Sequence, residues 1–526
     1  MIHHSKVTLN KEANTVKRAL ISVFDKTGIS ELGQTLHRHG VELISTGGTS
    51  RKLKEAGLPV TDVDELTGFP ECFDGRVKTL HPLIHGGLLA RRSLEEDRAD
   101  MERLGIRGID LLIVNLYPFE EAISTEGTSI ADAYENIDIG GPAMLRAAAK
   151  NVNEVGVITD PADYHELENE LEQQGGKISA DFRRRMSAKT FSLTATYDAA
   201  IANFLNRDEE QPGSFHAGFP LHQPLRYGEN PHQKAGMYGR PDRHFQCFHG
   251  KALSYNNYLD IDAALNFIAE FDQTETVCGI FKHTVPCGAA KAKSLAEAWK
   301  RAYATDTVSP FGGIVVVNQT MDKETAGLID EIFTELILAP GFTDDARSLL
   351  EQKANRRLIQ YSQDVFGHGH QSKWSYRSNV GGALVQETDM KMIAAADVEV
   401  VTNLKPDSSQ LDDLLFAWKV AKHVKSNAIV FASEGQTLGI GGGQPSRVDA
   451  SEIAVTKARK AGLSLEGSVV ASDAFFPFAD GVEAAAEAGA AAVIQPGGSV
   501  RDNEVLEAAN RHNMCMVFTG MRHFRH

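Results

Sequence analysis

Residues 282–288 read Lys-His-Thr-Val-Pro-Cys-Gly and place a cation beside an imidazole. They follow the apolar run Val277–Phe281, which predicts a strand, and the proline and glycine of the stretch predict a turn after it. Open α/β sheets usually bind ligands in a crevice at strand ends. There Lys282 could stabilise a developing negative charge while His283 moves a proton. A surface Lys-His pair ahead of an ordinary turn is the alternative, and this stretch alone does not decide between them.

The elements that must position this stretch follow an α/β pattern, because short apolar runs alternate with amphipathic segments along the chain. One run, Leu111–Leu116, is apolar nearly throughout, which predicts a strand buried on both faces of a sheet. The predicted strands are Ala19–Val23, Val41–Ser45, Leu111–Leu116 and Ala492–Gln495, and the predicted helices are Gly28–His39, Ser50–Ala56, Asp181–Leu205 and Glu483–Ala492.

The length of 526 residues predicts more than one domain, since single cores stop growing at about 250–300 residues. The stretch Asn206–Pro224 combines acidic residues, prolines and glycines with weak periodicity, which is typical of a linker. We therefore expect a first domain over residues 1–205 and a second over residues 225–526.

The composition narrows the class of protein. A net charge of −16, from 54 basic and 70 acidic residues, disfavours nucleic acid as a partner, because phosphate backbones are bound through basic surface. Small phosphorylated ligands stay compatible, since they need only a local pocket of cations and N–H groups. The five cysteines form no Cys-x-x-Cys pair, which favours a reducing compartment and argues against a zinc site. With no secretory segment at the start and no apolar run of roughly 20 residues, we expect a cytoplasmic enzyme and no membrane partner.

Three loops of the first domain suit phosphate. Thr46–Thr49 follows a predicted strand and opens a helix, the geometry in which free N–H groups and the helix dipole favour an anion. Asp25–Gly28 follows the preceding strand, and Gly75–Thr79 adds two cations. The glycines could instead serve only as turns, and the spacing fits neither the Rossmann nor the P-loop pattern.

A set of further motifs carries a resemblance that covers nearly the whole chain, from about Arg18 to His526. The chain resembles the bifunctional AICAR transformylase/IMP cyclohydrolase family of purine biosynthesis. Individually few of the motifs are specific, but together and in this order they are highly so. They are Asp74–Pro82, Asn115–Phe119, Ile137–Pro142, Leu225–Gln233, Ser254–Asp260, Lys282–Gly288, Val308–Gly313, Lys425–Val430, Gly439–Arg447 and Ala471–Phe478.

The resemblance implies a methylglyoxal-synthase-like first domain with a Rossmann-type parallel sheet. It implies a second domain of paired α/β/α units similar to cytidine deaminase, without the zinc of that enzyme. It also implies a homodimer whose transformylase sites lie at the subunit interface, with AICAR, formyl-AICAR, IMP and folate as ligands.

In the first domain the resemblance implies ring closure of formyl-AICAR to IMP. This reaction is intramolecular, so holding the two groups together supplies much of the acceleration, and a lysine near a carboxylate can hold the oxyanion and shuttle protons. Phe24 departs from the family, which usually has serine there. From the residues alone, a glycine-rich turn and a helix-end lysine are simpler interpretations of Asp138 and Lys150. The implied catalytic residues are Lys78, Tyr117, Asp138 and Lys150, and the implied nucleotide contacts are Ser22, Lys26, Thr46, Gly47, Gly48, Thr49, Arg76, Thr79 and Asn115.

In the second domain it implies formyl transfer from 10-formyltetrahydrofolate to the weakly nucleophilic 5-amino group of AICAR. His283 would be the general base and Lys282 the oxyanion partner. The nucleotide contacts would be Arg226, Tyr227, Asn257, Phe311, Gly312, Glu335, Asn427 and Arg447, and the folate contacts Val448, Phe475, Asp480, Gly481 and Arg522.

In the second domain, two residues differ from the pattern of the family, and one aromatic cluster has an alternative interpretation. Val285 stands where relatives have Asn or Ser, and Glu335 where some have Asp. The aromatic cluster Phe475–Phe478 could be core packing rather than a pterin platform.

Two other classes of function stay open from the sequence. A first domain of this kind could be a ligand-sensing module that binds a nucleotide without catalysis. A zinc nucleoside deaminase is suggested by fold analogy only, and the chain lacks the expected His-x-Glu and Pro-Cys-x-x-Cys signature. No metal is expected to be required for either reaction, and the sequence leaves open whether a monovalent cation binds.

Overall fold

The computed structural model describes residues 8–73, 75–117, 119–124 and 128–526. Residues 1–7, together with Asp74 and Pro118 of the motifs above, lie outside this described part. The chain divides into two compact units, Met1–Pro220 and Leu221–His526. Each unit contains its own main sheet.

The first unit is built on a five-stranded parallel sheet in the order β4-β3-β2-β5-β6, beside a short antiparallel pair of β1 and β7. Its strands are β1 Asn14–Thr15, β2 Arg18–Val23, β3 Glu42–Ser45, β4 Val60–Asp62, β5 Leu111–Asn115, β6 Gly156–Ile158 and β7 Lys177–Ile178. Its helices are α1 Ile29–Arg38, α2 Gly47–Glu55, α3 Val63–Thr67, α4 Pro82–Leu89, α5 Glu95–Leu104, α6 Phe119–Ser124, α7 Ile130–Glu135, α8 Gly140–Lys150, α9 Tyr164–Gln173 and α10 Ala180–Leu205.

The central strands β2 and β5 are buried on both faces, which explains their mostly apolar sequences. Strand β2 lies in the middle, with β3 on one side and β5 on the other, so the strand order reverses there. A doubly wound sheet opens its ligand crevice at the carboxyl ends of the strands at such a reversal. The predicted parallel α/β layer is confirmed.

The second unit contains a 12-stranded sheet and two separate hairpins, β8–β9 and β16–β17. Its strands are β8 Leu221–Leu225, β9 Ala235–Tyr238, β10 Phe245–His249, β11 Thr276–Lys282, β12 Val285–Ala292, β13 Gly313–Val317, β14 Thr334–Ala339, β15 Arg357–Tyr361, β16 Trp374–Asn379, β17 Gly382–Glu387, β18 Glu399–Val400, β19 Ile429–Ser433, β20 Gln436–Gly441, β21 Val469–Ser472, β22 Ala492–Gln495 and β23 Cys515–Phe518. Its helices are α11 Tyr255–Ile268, α12 Leu295–Thr305, α13 Lys323–Asp330, α14 Asp344–Leu350, α15 Ser408–Lys422, α16 Arg447–Lys460, α17 Asp480–Glu487 and α18 Asp502–Arg511.

The large sheet is formed by two copies of one internal repeat. The order helix, hairpin, helix, strand, helix, strand, helix, strand runs once from α11 to β15 and again from α15 to β23. The two halves join where β12 pairs antiparallel with β20 at Ala290 and Gln436. The predicted paired α/β units are therefore confirmed.

The turn predicted from Pro286 and Gly288 was wrong. Both residues lie inside β12, and the hairpin turn is His283–Thr284. The register shifts beside Pro286, which lies opposite Phe281 while Ile280 lies opposite Gly288. Such a bulge accommodates a proline, since it interrupts the ladder where the missing N–H would be needed.

Other boundaries moved by a few residues. Helix α2 begins at Gly47 rather than Ser50, and the last part of the expected linker forms strand β8. The alanine-rich helix ends at Glu487 because Gly489, with φ +108°, stops it before Ala492. Among the described residues, no helix combines the length and apolar character needed to cross a bilayer.

Candidate active sites

The first candidate site lies at the carboxyl ends of β2, β3 and β5. Ile21 pairs with Ser45 and Val23 with Asn115, so the three strands end side by side. The hydroxyl oxygens of Ser22 and Thr46 are 2.9 Å apart across two of these ends. Polar side chains from separate loops therefore meet at the reversal of the sheet.

The start of α2 forms the cationic part of this site. No side chain caps this helix among the described residues, which leaves its first N–H groups directed at the crevice. A β-carbon on Gly47 would lie 3.1 Å from the Lys78 ammonium nitrogen, and one on Gly48 3.8 Å from that of Lys26. Two ammonium groups thus flank a helix N-terminus without side chains in between, which suits a phosphate group.

Two predicted nucleotide contacts hold the loops instead. The Thr49 hydroxyl donates to the Val23 carbonyl oxygen at 3.0 Å and accepts from the Val23 N–H at 3.1 Å. The Asn115 amide accepts the N–H groups of Phe24 and Asp25 at 2.6 and 3.0 Å and donates to the Asp25 carbonyl oxygen at 2.9 Å. These side chains fix the shape of the crevice.

Asp138, a predicted catalytic residue, lies just before α8 and is half-buried. Its carboxylate accepts the Gly141 N–H at 2.9 Å, and its own N–H donates to the Tyr197 hydroxyl at 2.8 Å. Burial raises the pKa of Asp138, while the N–H groups of Gly141 and Gly140 act in the opposite direction. Raised carboxyl pKa values are common where a carboxyl group must exchange a proton near neutral pH.

The start of α8 adjoins the Lys78 segment, because a β-carbon on Gly140 would lie 3.0 Å from the Thr79 hydroxyl oxygen. Lys78 itself is ion-paired with Glu71, and Arg76 with Glu135. A cavity of about 630 Å³ opens between α2 and these residues, lined by Thr46, Gly47, Lys78, Phe69 and Arg51 among others.

The structure does not bring Lys150 to this site. Asp138 precedes the first residue of α8, and Lys150 is its last residue and exposed. At a rise of 1.5 Å per residue, a helix of this length separates its two main-chain ends by roughly 15 Å. The family resemblance therefore assigned one reaction to two residues that lie at opposite ends of one helix.

The second candidate site begins at the turn after β11. His283 and Thr284 have φ angles of +52° and +65°, the left-handed region at both central positions of a two-residue hairpin. Asn-Gly or Asp-Gly pairs normally occupy such a turn. A β-branched residue there carries strain on the order of 1–3 kcal/mol, and strain of this kind concentrates at functional sites. The turn leaves His283 exposed.

Lys282 is held by main-chain carbonyl groups. Its ammonium group donates to the carbonyl oxygens of Phe311 at 2.7 Å and Gly312 at 3.0 Å. The Phe311 ring is 68% exposed and packs on Phe333, with ring centres 5.5 Å apart. The predicted nucleotide contacts Phe311 and Gly312 therefore lie against the predicted oxyanion partner.

Helix α11 and strands β14 and β15 add a polar cluster to this turn. Asn257 donates to a Glu335 carboxylate oxygen at 2.9 Å, and Arg357 donates to the same oxygen at 3.2 Å. Asp260 accepts the Thr284 N–H at 2.7 Å. Arg357 and Asp260 were missed from the sequence, although Asp260 closes one of the motifs quoted above.

A further cluster surrounds Arg447, the first residue of α16. Its guanidinium group donates to the Ser472 hydroxyl oxygen and to Asp473, each at 3.1 Å. Asp473 is buried and also accepts from Ser426. Asn427 donates to the carbonyl oxygens of Gln444 and Pro445 at 2.8 and 3.1 Å. Asp473 is the third residue that sequence reasoning missed, and it orients Arg447.

Both clusters of the second unit lie at one edge of the large sheet. Strand β12 starts after the His283–Thr284 turn and runs antiparallel to β20, so its start lies at the end where β20 finishes. Gly441 at that end pairs with Ile429, which in turn pairs with Ser472. The folding of the internal repeat therefore gathers residues that are about 165 positions apart in sequence onto the same edge.

The predicted folate contacts divide into exposed and buried groups. Phe475 is 36% exposed while Phe476 is 1% exposed, so core packing applies to Phe476 and leaves the Phe475 ring available. Asp480 accepts the Gly481 N–H at 2.7 Å at the start of α17. The Arg522 guanidinium lies 4.5 Å from the Phe524 ring centre.

The remaining predicted positions are placed as follows. Val448 follows Arg447 on α16 and is half-buried. Arg226 is exposed at the end of the β8–β9 hairpin, 5.6 Å from the Tyr227 ring centre. Val285 pairs with Lys282 and packs against the core, so a polar residue is absent beside the catalytic pair.

The sequence of the chain matches known protein families. The AICARFT/IMPCHase bienzyme family matches residues 148–457, and the MGS-like domain family matches residues 28–143. The chain belongs to the AICARFT/IMPCHase bienzyme family. The bifunctional purine biosynthesis protein PurH of Chloroflexus aurantiacus is 54% identical over 97% of this chain and 99% of that protein. PurH of Chlorobaculum parvum is 51% identical over the same shares. A solved chain described as "Crystal structure of ForH" is 38% identical, with a TM-score of 0.34, over 37% of this chain and 100% of that one.

The family membership establishes both activities. The chain is a bifunctional enzyme that catalyses the last two steps of IMP formation, formyl transfer to AICAR and cyclisation of formyl-AICAR. The formyl donor is a folate, and the nucleotide ligands are AICAR and IMP. The sequence-based prediction of the family and of both reactions is confirmed, and the sensing-module and deaminase alternatives are set aside.

Proposed function

We propose that the first unit closes the ring and the second transfers the formyl group, with the sites described above. The single observation that carries the proposal is the strained turn that presents His283 beside the carbonyl-held Lys282. The proposal keeps the two expected domains, residues 1–205 and 225–526. It ends the linker between them at about Pro220, a few residues earlier than expected.

In ring closure, the start of α2 binds the ribosyl phosphate beside Lys26, with the Thr46 hydroxyl and the N–H groups of Gly47 and Gly48. Asp138 exchanges the proton as the carboxamide nitrogen attacks the formyl carbon, and Lys78 steadies the oxygen that leaves as water. Tyr117, which follows the end of β5 and packs against Phe24, acts with them in this step. Lys150 has no part in this step.

In formyl transfer, the 5-amino group of AICAR attacks the formyl carbon of the folate while His283 takes its proton. Lys282 stabilises the tetrahedral oxyanion at a point fixed by its bonds to Phe311 and Gly312. Arg447 binds the anionic part of the nucleotide, and Phe475 stacks on the pterin of the folate. Among the described residues, no group of three or more His, Cys, Asp or Glu could hold a metal ion.

The proposal extends to assembly and location. A homodimer with transformylase sites at the subunit interface, working in the cytoplasm, follows from the family resemblance. The five cysteines are free, which supports a reducing compartment.

The test is His283→Ala in the intact chain. Tetrahydrofolate release from 10-formyltetrahydrofolate with AICAR should fall about 10²–10⁴-fold, the usual contribution of a positioned acid or base. Cyclisation of added formyl-AICAR should be unchanged, because every residue assigned to it precedes Pro220. A folded His283→Ala enzyme with near-wild-type transfer would remove the histidine from the mechanism. A fragment of residues 1–220 that folds but cannot cyclise formyl-AICAR would show that the division between units is wrong.

A further inference from the structure

The turn that carries His283 is unfavourable for its sequence. Both central residues adopt positive φ, and neither is glycine, asparagine or aspartate. Thr284 is β-branched, which makes φ +65° especially unfavourable. Such a turn persists only when its surroundings over-determine it.

A single carboxylate supplies that constraint. Asp260 on α11 is 8% exposed, and its Oδ1 accepts the Thr284 N–H at 2.7 Å. Burial raises the pKa of Asp260, while the Thr284 N–H and the positive charges of His283 and Lys282 oppose that shift and Glu335 adds to it. The carboxylate therefore faces His283 and Lys282 from β11 and Glu335 from β14.

The second half of the internal repeat contains the same arrangement, a helix carboxylate that binds the main chain of a hairpin turn. Asp413 on α15 occupies the equivalent position, is also 8% exposed, and accepts the N–H groups of Glu434 and Gly435 at 2.7 and 2.6 Å. The Glu434–Gly435 turn has φ angles of +51° and +69°. Glycine occupies the position that Thr284 has in the first half of the repeat. The second turn lies at the opposite end of the strands from His283.

We propose that Asp260 is the positioning residue for His283, fixing the main chain of its turn and placing an anion beside the imidazole. The inference rests on the proposed role of His283 as the general base. A carboxylate in this place orients the base and favours its protonated form once the proton has been taken from the amine. Asp413 performs only the first task, since its turn carries no histidine.

The matched pair of turns gives the experiment its control. Asp260→Ala should lower kcat for formyl transfer about 10²-fold, the scale of a misplaced catalytic group, with KM for AICAR little changed. Asp413→Ala should lower the unfolding temperature to a similar degree and leave kcat near wild type. Equal losses of kcat in the two variants, or no loss in Asp260→Ala, would overturn the inference.

The Asp260→Asn variant removes the negative charge of the side chain but keeps its hydrogen bond to the turn. It also replaces Asp260→Ala as the test if that variant fails to fold. Its amide oxygen can still accept the Thr284 N–H, so kcat at its optimum should fall less than in Asp260→Ala. The loss that Asp260→Ala shows beyond Asp260→Asn measures the hydrogen bond to the turn, and the loss that remains in Asp260→Asn measures the charge. Wild-type kcat in Asp260→Asn would overturn the electrostatic part.

The double variant Asp260→Ala with His283→Ala distinguishes this inference from the proposed function. Asp260→Ala should add little further loss in the His283→Ala background, because it acts through the histidine. Near-wild-type transfer by His283→Ala would refute the proposed function itself. Slow transfer by His283→Ala together with normal transfer by both Asp260 variants would refute only the positioning role.

Discussion

The rings of Phe24 and Tyr117 meet edge to face, with centres 4.5 Å apart and planes at 79°. Phe24 is half exposed and follows the end of β2, while Tyr117 follows the end of β5. The position at which the chain departs from its family therefore contacts a candidate catalytic residue. A serine there would add a hydroxyl but could not brace the tyrosine ring.

Phe24→Ser should slow cyclisation of formyl-AICAR about 2- to 10-fold, the rate equivalent of an edge-to-face contact worth about 0.5–1.5 kcal/mol. Formyl transfer should be unchanged. Phe191→Ser, at an exposed phenylalanine on α10, is the matched control and should affect neither rate. Faster cyclisation by Phe24→Ser would instead mean that a hydroxyl at the phosphate matters more than the ring contact.

Asp138→Asn and Lys150→Ala should differ sharply in cyclisation. The first removes a half-buried proton-exchanging group just before α8 and should lower the rate about 10²–10⁴-fold. The second removes an exposed side chain at the far end of the same helix and should leave the rate near wild type. Accumulation of formyl-AICAR in the coupled reaction is the measurement. Equal losses in the two variants would contradict the separation of Lys150 from the site.

The fold could be predicted because its signals are local. A nearly continuous apolar run identified β5, and alternation of strands and helices identified both α/β units. The errors arose where the deciding contact is distant in sequence. Pro286 was interpreted as a turn because its bulge opposite Phe281 exists only once two strands pair.

The residues of the candidate sites also divide into those that local sequence indicates and those that depend on contacts distant in sequence. Lys282 and His283 stand out in sequence as adjacent reactive side chains. Sequence analysis missed three residues because the hydrogen-bond partner of each lies 22 to 26 positions away in sequence. They are Asp260, Asp473 and Arg357. Lys150 was included through the family resemblance, and its place at the far end of α8 fits the simpler interpretation of a helix-end lysine.

Lys282→Ala should slow formyl transfer about 10²–10³-fold, the loss expected for one oxyanion donor. Lys282→Arg should not restore the rate, because a planar guanidinium cannot reproduce a point charge held between the carbonyl oxygens of Phe311 and Gly312. Lys300→Ala, at an exposed lysine on α12, is the control for general charge effects. Full activity in Lys282→Arg would show that charge alone, without the carbonyl anchor, is sufficient.

The last prediction concerns a buried ionic cluster in the second unit. The Lys422 ammonium lies 2.7 Å from a Glu270 carboxylate oxygen, and the same oxygen lies 3.4 Å from His423 Nε2. Burial alone would raise the pKa of Glu270, but His423 and Lys422 outweigh it and lower the pKa to about 2. Burial lowers the pKa of His423 to about 4.

Both shifts make the fold less stable in acid. Below about pH 6.5 the unfolded chain protonates His423 while the folded chain does so only near pH 4, so stability falls across that interval. Glu270 contributes stability above its unfolded value of 4.5, and this is lost as the pH falls towards 2. Each proton taken up only by the unfolded state adds a slope of about 1.4 kcal/mol per pH unit.

His423→Gln should therefore flatten the fall in unfolding free energy between pH 6.5 and 4, whatever its effect at pH 8. Trp299, Trp374 and Trp418 are the three tryptophans of the chain and all lie in the second unit, so tryptophan fluorescence follows the unfolding of that unit. His512→Gln, at an exposed histidine on the same unit, should leave the slope as it is. An unchanged slope in His423→Gln would mean that the acid sensitivity arises elsewhere, with His370 next to be tested because burial lowers its pKa to about 4 as well.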